Sequence, residues 1–176
     1  MTGAIRVRTL QSFEDREIQG LSDVLIDCVE GGASVSFMLP LPREKATAYW
    51  HTIAASVARG ERKVLVAEDA EGVMLGTVQV VLDQPENQPH RGDVAKMLVH
   101  RRARKQGVGG ALLAAAERSA LESGKTLLVL DTVTGSDGYR LYTRHGWQRV
   151  GEIPNYALWP AGGLCPTTVF YKSLRG

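Results

Sequence analysis

Arg104-Lys105-Gln106-Gly107-Val108-Gly109-Gly110 decides how this chain is read. The stretch stands between a strand-like run, Asp93 to Val99, and a helical pattern with Val108, Ala111, Leu112, Ala115 and Ser119 on one stripe, which Gly124 ends. Glycines let backbone N–H groups close on an anion with no Cβ in the way, and the helix after them points its positive dipole end at the same spot. Phosphate is the guest such a turn suits. Arg104 and Lys105 add mobile positive charge beside it, in keeping with a pyrophosphate or a 3′-phosphate.

Three other phosphate or nucleophile motifs fail on spacing. A dinucleotide-binding turn starting at Gly107 and Gly109 needs a third glycine where Leu112 stands. Gly124-Lys125-Thr126 imitates the end of a P-loop, yet Ser119 occupies the first glycine position and the triplet comes after a helix instead of a strand. Gly32-Ala33-Ser34-Val35-Ser36 ends in serine and lies between two helices, which disfavours a nucleophile elbow.

Near the N-terminus, Ala4 to Leu10 reads as a strand. Ser12-Phe13-Glu14-Asp15 predicts a capping box opening a helix with Ile18, Leu21, Leu25 and Cys28 on one face, ending at Gly31-Gly32. A second helix is expected from Pro42 to near Gly60, with Ala46, Trp50, Ile53 and Val57 on its apolar face. Val64 to Glu68 and Val73 to Leu82 read as a hairpin, Asp83 to Gly92 as a loop, and Thr126 to Asp131 as a strand covered on both faces. A short helix, Ser136 to Arg144, precedes strands near Trp147 to Glu152 and Thr167 to Leu174, with a loop from Glu152 to Pro166 between them. The order β-α-α-β-β-β-α-β-α-β-β, about seven strands and four helices, predicts an α/β fold around a mixed sheet.

The 176 residues predict one domain, 1–176. Apolar residues at 44% and charged residues at 23% exclude a disordered tail or a coiled coil. No apolar run reaches membrane-span length and the N-terminus has no apolar signal-like region, so a cytoplasmic location is expected. Twenty-one Lys and Arg against nineteen Asp and Glu leave +2, too little for a nucleic-acid-binding face. Cys28, Cys165 and the four histidines lack ligand spacing, so reduced thiols and no metal are expected.

Arg-x-x-Gly-x-Gly after a strand and at a helix start resembles the acetyl-CoA pyrophosphate loop of the GNAT N-acetyltransferases. Tyr139-Arg140-Leu141-Tyr142-Thr143-Arg144-His145-Gly146-Trp147 resembles that family's second signature, an aromatic-rich helix followed by Gly and a large aromatic. A closer likeness, to the tabtoxin-resistance acetyltransferases, lies in Gly31 to Met38, Val94-Ala95-Lys96-Met97-Leu98-Val99, Leu130-Asp131-Thr132 and Glu152 to Tyr156.

The resemblance implies a mostly antiparallel sheet with strands 4 and 5 splayed, and acetyl transfer from acetyl-CoA to a primary amine of a small molecule, a tabtoxin-type β-lactam or an amino-acid-like compound. It implies a cosubstrate site made by Met97, Leu98, Val99, Arg104, Lys105, Gln106, Gly107, Val108, Gly109 and Gly110, with the N–H of Leu98 or Val99 on the thioester carbonyl. Tyr142 corresponds to the tyrosine that protonates the departing thiolate, while Tyr139 fits an aromatic packed on the sheet. Asp131 and Asp93 are the candidates for handling the amine's proton, Asp93 through water because relatives carry the longer glutamate there. Asp131 also caps a strand's C-terminal edge, where α/β sheets place ligands. Phe37, Asp131, Tyr156 and Trp159 are the acceptor-pocket candidates. A monomer or homodimer is expected. Peptide acetylation and non-catalytic acyl-CoA sensing are the alternative readings.

Overall fold

A computed structural model describes residues 3–174. The elements run β1 (Arg6–Thr9), α1 (Asp15–Glu30), α2 (Arg43–Ala58), β2 (Arg62–Glu68), β3 (Met74–Val81), β4 (Arg91–Val99), α3 (Val108–Glu122), β5 (Leu127–Val133), α4 (Asp137–Arg144), β6 (Gln148–Leu158) and β7 (Leu164–Ser173), with a short 3₁₀ turn, Arg101–Ala103, after β4. The strands form one sheet in the order β1-β2-β3-β4-β5-β7-β6, parallel only at β4–β5. This is the α/β architecture expected from the element order.

Helices cover both faces of the sheet, which is why its inner strands are apolar without alternation. In β2, Val64 and Val66 pack with Ile18, Leu21, Leu25 and Trp50 of α1 and α2, while Leu65 and Ala67 pack with Val108, Leu112 and Ala116 of α3. Trp50 is fully buried. Large side chains at such positions each contribute roughly 1.5–3 kcal/mol through burial.

Three local expectations need correction. The first helix starts at Asp15, not near Ser12, and the Glu17 carboxylate accepts from the Glu14 N–H at 3.1 Å. Acidic groups in a first turn suit the helix dipole, and the Glu14-x-x-Glu17 spacing places one where it reaches back to an unpaired amide.

The stretch expected as a loop, 152–166, is instead the far half of a long hairpin, paired at Ala157↔Cys165 and Leu158↔Leu164. Pro154-Asn155 reads as a turn, yet the strand absorbs it as a bulge: register slips between Ile153 and Ala157, and Asn155 takes φ +53. An edge strand tolerates this because a proline there removes no ladder bond from a second neighbour. The hairpin tip holds the α1–α2 connection, through Leu39 N–H to the Pro160 carbonyl at 2.9 Å and the Ser34 hydroxyl to the Leu158 carbonyl at 2.7 Å.

Strand β4 opens a fork in the sheet. It starts at Arg91, two residues before the expected Asp93, and its pairing with β5 is only Arg91↔Leu127, Gly92↔Leu128 and Asp93↔Val129. Beyond Asp93 the two strands part. A bulge against β3, where Gln79↔Ala95 gives way to Thr77↔Leu98, places Lys96 at φ +51 just past the fork.

Candidate functional site

The glycine-rich turn forms a cradle at one end of this fork. Lys105 has φ +60 and Gly107, the N-cap of α3, has φ +84. No side chain caps α3, so its first-turn N–H groups point outward with the helix dipole behind them. Gly109 and Gly110 serve packing as well: a Cβ on them would lie 3.2 Å from Leu141 and 3.3 Å from His145 of the α4 end. The Arg104 Nε donates to the Val99 carbonyl at 3.3 Å, whereas Lys105 and Gln106 are exposed. Arg101 and Arg102 are committed elsewhere, to Asp27 and to the Met74 carbonyl.

Alternation decides which groups meet in the fork. Leu128 and Leu130 face α3, so Asp131, in phase with Val129, faces α1 and α2. Tyr142 comes from the other side. Its ring is buried against Trp147 and Phe170, at centroid distances of 5.6 and 6.1 Å, and its hydroxyl makes no hydrogen bond among the described residues. Burial, with a smaller contribution from the Asp131 carboxylate, holds the Tyr142 phenol well above its ordinary pKa. Tyr139 stacks edge-on against Phe170 at 5.3 Å, as a sheet-packing aromatic would.

The two candidate carboxylates are held differently. Asp131 Oδ2 accepts from the Thr167 hydroxyl at 2.7 Å and leaves Oδ1 without a described partner. Asp93 is engaged by the Arg91 guanidinium and by the Gln84 amide at 3.1 Å. On β4, Leu98 is buried and Met97 and Val99 are half-buried, their strand released from β5.

Residues 60–149 match the Acetyltransferase (GNAT) domain family. The chain belongs to the GNAT acetyltransferase family. It is an N-acetyltransferase that works with acetyl-CoA. Solved structures share the whole fold. An N-acetyltransferase from Staphylococcus aureus Mu50 superposes with TM-score 0.80 at 16% identity, covering 98% of this chain and 99% of its own. A GCN5-related N-acetyltransferase from Kribbella flavida gives 0.78 at 23%, covering 97% and 98%. The yncA protein of Salmonella typhimurium, solved with its cofactor acetyl-CoA, gives 0.78 at 18%, covering 97% and 94%.

The residues of this GNAT enzyme fit acetyl-CoA: an uncapped helix start behind two left-handed backbone positions suits a pyrophosphate, and the fork between β4 and β5 suits a narrow chain. Among the described residues no group of His, Cys, Asp or Glu could hold a metal, and no helix is long and apolar enough to cross a membrane. Cys28 donates to the Val99 carbonyl at 3.4 Å, and burial pushes its thiol up to about 11, so it is not a thiolate at neutral pH.

Reading the sequence missed a polar group on the α1/α2 face of the enzyme. Lys96 Nζ donates to the Ser36 hydroxyl at 2.9 Å. Nearby, Arg62 donates to Gln79 at 2.8 Å, and Gln79 to the Tyr49 hydroxyl at 3.0 Å. Phe37 packs edge-on to Tyr49 at 5.2 Å, so this acceptor candidate does join the face. Tyr156 and Trp159 are exposed on the β6–β7 hairpin. One signal was present: Lys96 and Gln79 interrupt apolar strands, Val94 to Val99 and Val78 to Val81, where packing alone asks for neither.

Proposed function

We propose that residues 1–176 act as one domain that transfers acetyl directly from acetyl-CoA to the primary amine of a small molecule. Acetyl-CoA enters on the α3 side and the amine on the α1/α2 side. The observation that carries this reading is the fork after Asp93↔Val129, where the unpartnered Tyr142 hydroxyl and the Asp131 carboxylate come within electrostatic reach of each other from opposite faces.

Acetyl-CoA supplies the thioester. The cradle Arg104 to Gly110 holds its phosphates, and the N–H of Leu98 or Val99 polarises the thioester carbonyl from the freed edge of β4. Asp131 draws the substrate ammonium and takes its proton, so that the neutral amine attacks. Tyr142, kept protonated by burial, returns a proton to the departing thiolate. Asp93 is already neutralised by Arg91, which makes it the poorer base; we assign it to orienting β4 at the fork. The acceptor we place first is an amino-acid-like compound, a tabtoxin-type β-lactam included, on the strength of the sequence resemblance through Lys96 to Val99 and Leu130 to Thr132. The enzyme would then work in the cytoplasm.

The test is CoA thiol release from acetyl-CoA with tabtoxinine-β-lactam, amino acids, polyamines and peptides as acceptors. Saturable release with small amines is expected. Turnover confined to peptides or protein N-termini would overturn the acceptor class, and binding of acetyl-CoA without turnover on any of them would point to a sensor.

A further inference from the structure

Lys96 is a cation set into an apolar strand, and the bulge in β4 turns it out of the sheet. Its backbone is left-handed at φ +51, and so is that of Ser36 at φ +80, the residue it bonds across the mouth of the fork. Neither is glycine. Backbone of this kind persists where the surrounding structure imposes it, and it gathers at ligand sites.

The electrostatics give the two residues a purpose. Asp131 and Arg62 both act on the Lys96 ammonium, yet no carboxylate of the described residues lies within ion-pair distance of it. Its hydrogen bond goes to a neutral hydroxyl. Arg62 also has no described carboxylate at ion-pair distance: its Nη1 donates to Gln79 at 2.8 Å and its Nε to the Ser56 hydroxyl at 2.9 Å, which in turn donates to Glu61. Lys96, a half-buried cation with no described carboxylate at ion-pair distance, thus stands near Arg62 and within electrostatic reach of Asp131, whose Oδ1 has no described partner. Half-buried charge calls for a partner of opposite sign.

We propose that Lys96, backed by Arg62, binds a carboxylate of the acceptor and makes the enzyme select amino acids over simple amines. The inference rests on the reading of Asp131 as the partner of the acceptor's ammonium. An amino acid satisfies both ends at once, its ammonium at Asp131 and its carboxylate at Lys96. A polyamine instead brings a second cation against Lys96 and Arg62. The Ser36 bond holds the ammonium in place and ties its position to the α1–α2 connection.

The test uses matched acceptors that differ by one carboxylate: L-methionine with 3-(methylthio)propylamine, L-lysine with cadaverine, and L-glutamate with 4-aminobutyrate. With the wild-type enzyme, kcat/KM is expected to favour the amino acid of a turned-over pair by at least ~20-fold. K96M should bring that ratio to near unity, through a higher KM for the amino acid, and K96R should restore most of it. Melting temperature and acetyl-CoA affinity of each variant separate this from misfolding. A wild-type enzyme indifferent to the carboxylate, or a K96M variant that loses both members of a pair equally, overturns the proposal while leaving amine acetylation standing. Bound acetyl-CoA with no turnover in either series overturns both.

Discussion

Tyr142 has a buried ring and a hydroxyl with no described hydrogen-bond partner, free to meet a ligand in the fork. Tyr142→Phe removes one oxygen and leaves the packing on Trp147 and Phe170. We expect kcat to fall at least ~10-fold with acetyl-CoA affinity unchanged, as for loss of a general acid; a parallel loss of affinity, measured by titration calorimetry, would remove the assigned role. Because the phenol's pKa is raised, Tyr142 stays protonated and its titration adds no alkaline limb to the kcat profile below pH ~10. Asp131→Asn keeps the Thr167 contact and removes the charge, so kcat/KM for the amine should fall by ~100-fold or more. A fall under threefold would show that another group takes the proton. The sequence singled out both as candidates, Tyr142 through the aromatic-rich helix signature and Asp131 through the resemblance and its place at a strand's C-terminal edge. Lys96 and Arg62 were not singled out, because a single charge in a strand does not say which way it points, and here a bulge decides.

The helix start at Gly107 is an element-scale device. No described atom lies within 4 Å of a Cβ built there, but φ is +84. A valine would therefore fit sterically among its neighbours while forcing a β-branched residue into left-handed backbone, at a cost on the order of 1–3 kcal/mol. Gly107→Val should relax the turn and raise the acetyl-CoA Kd at least ~10-fold, read by titration in the absence of any acceptor. An unchanged Kd would detach the cradle from cosubstrate binding. The elements themselves were largely visible in the sequence: apolar period 3.6 marked α1, α2 and α3, and continuous apolar runs marked β2, β3 and β5. The β6–β7 hairpin was hidden because Pro154-Asn155 carries turn chemistry that an edge strand accommodates as a bulge.

For the molecule as a whole, the far edge of the sheet carries an ion cluster remote in sequence. Glu68 is buried, and its carboxylate takes Arg8 at 2.7 Å and Arg6 at 2.8 Å. Hydrogen bonding from Arg8 outweighs the opposing effect of burial and holds the Glu68 carboxyl at about 2, below its ordinary 4.5. A folded-state pKa below the unfolded one stabilises the fold fully above about pH 4.5, and that stabilisation is lost as pH falls toward 2. Glu68→Gln should lower stability at pH 7 by about 3 kcal/mol and flatten the acid limb of stability against pH. Urea melts at pH 7 and pH 3.5 check this; an unchanged slope would mean the cluster is solvated and weak.

Local chemistry determined the helices, most strands and the glycine-rich turn before α3, because each depends on residues within about a dozen positions of one another: periodic apolar stripes, a left-handed glycine, an uncapped helix start. Their order along the chain was enough to place them in one mixed sheet. The face proposed for the acceptor depended on contacts across the chain, Ser36 to Lys96, Arg62 to Gln79 and Thr167 to Asp131, over separations of 60, 17 and 36 residues. Such pairings depend on where β4 leaves β5 and how a bulge turns one side chain. Only the packed sheet settles those two things, since the energy that fixes them is spread over the whole core.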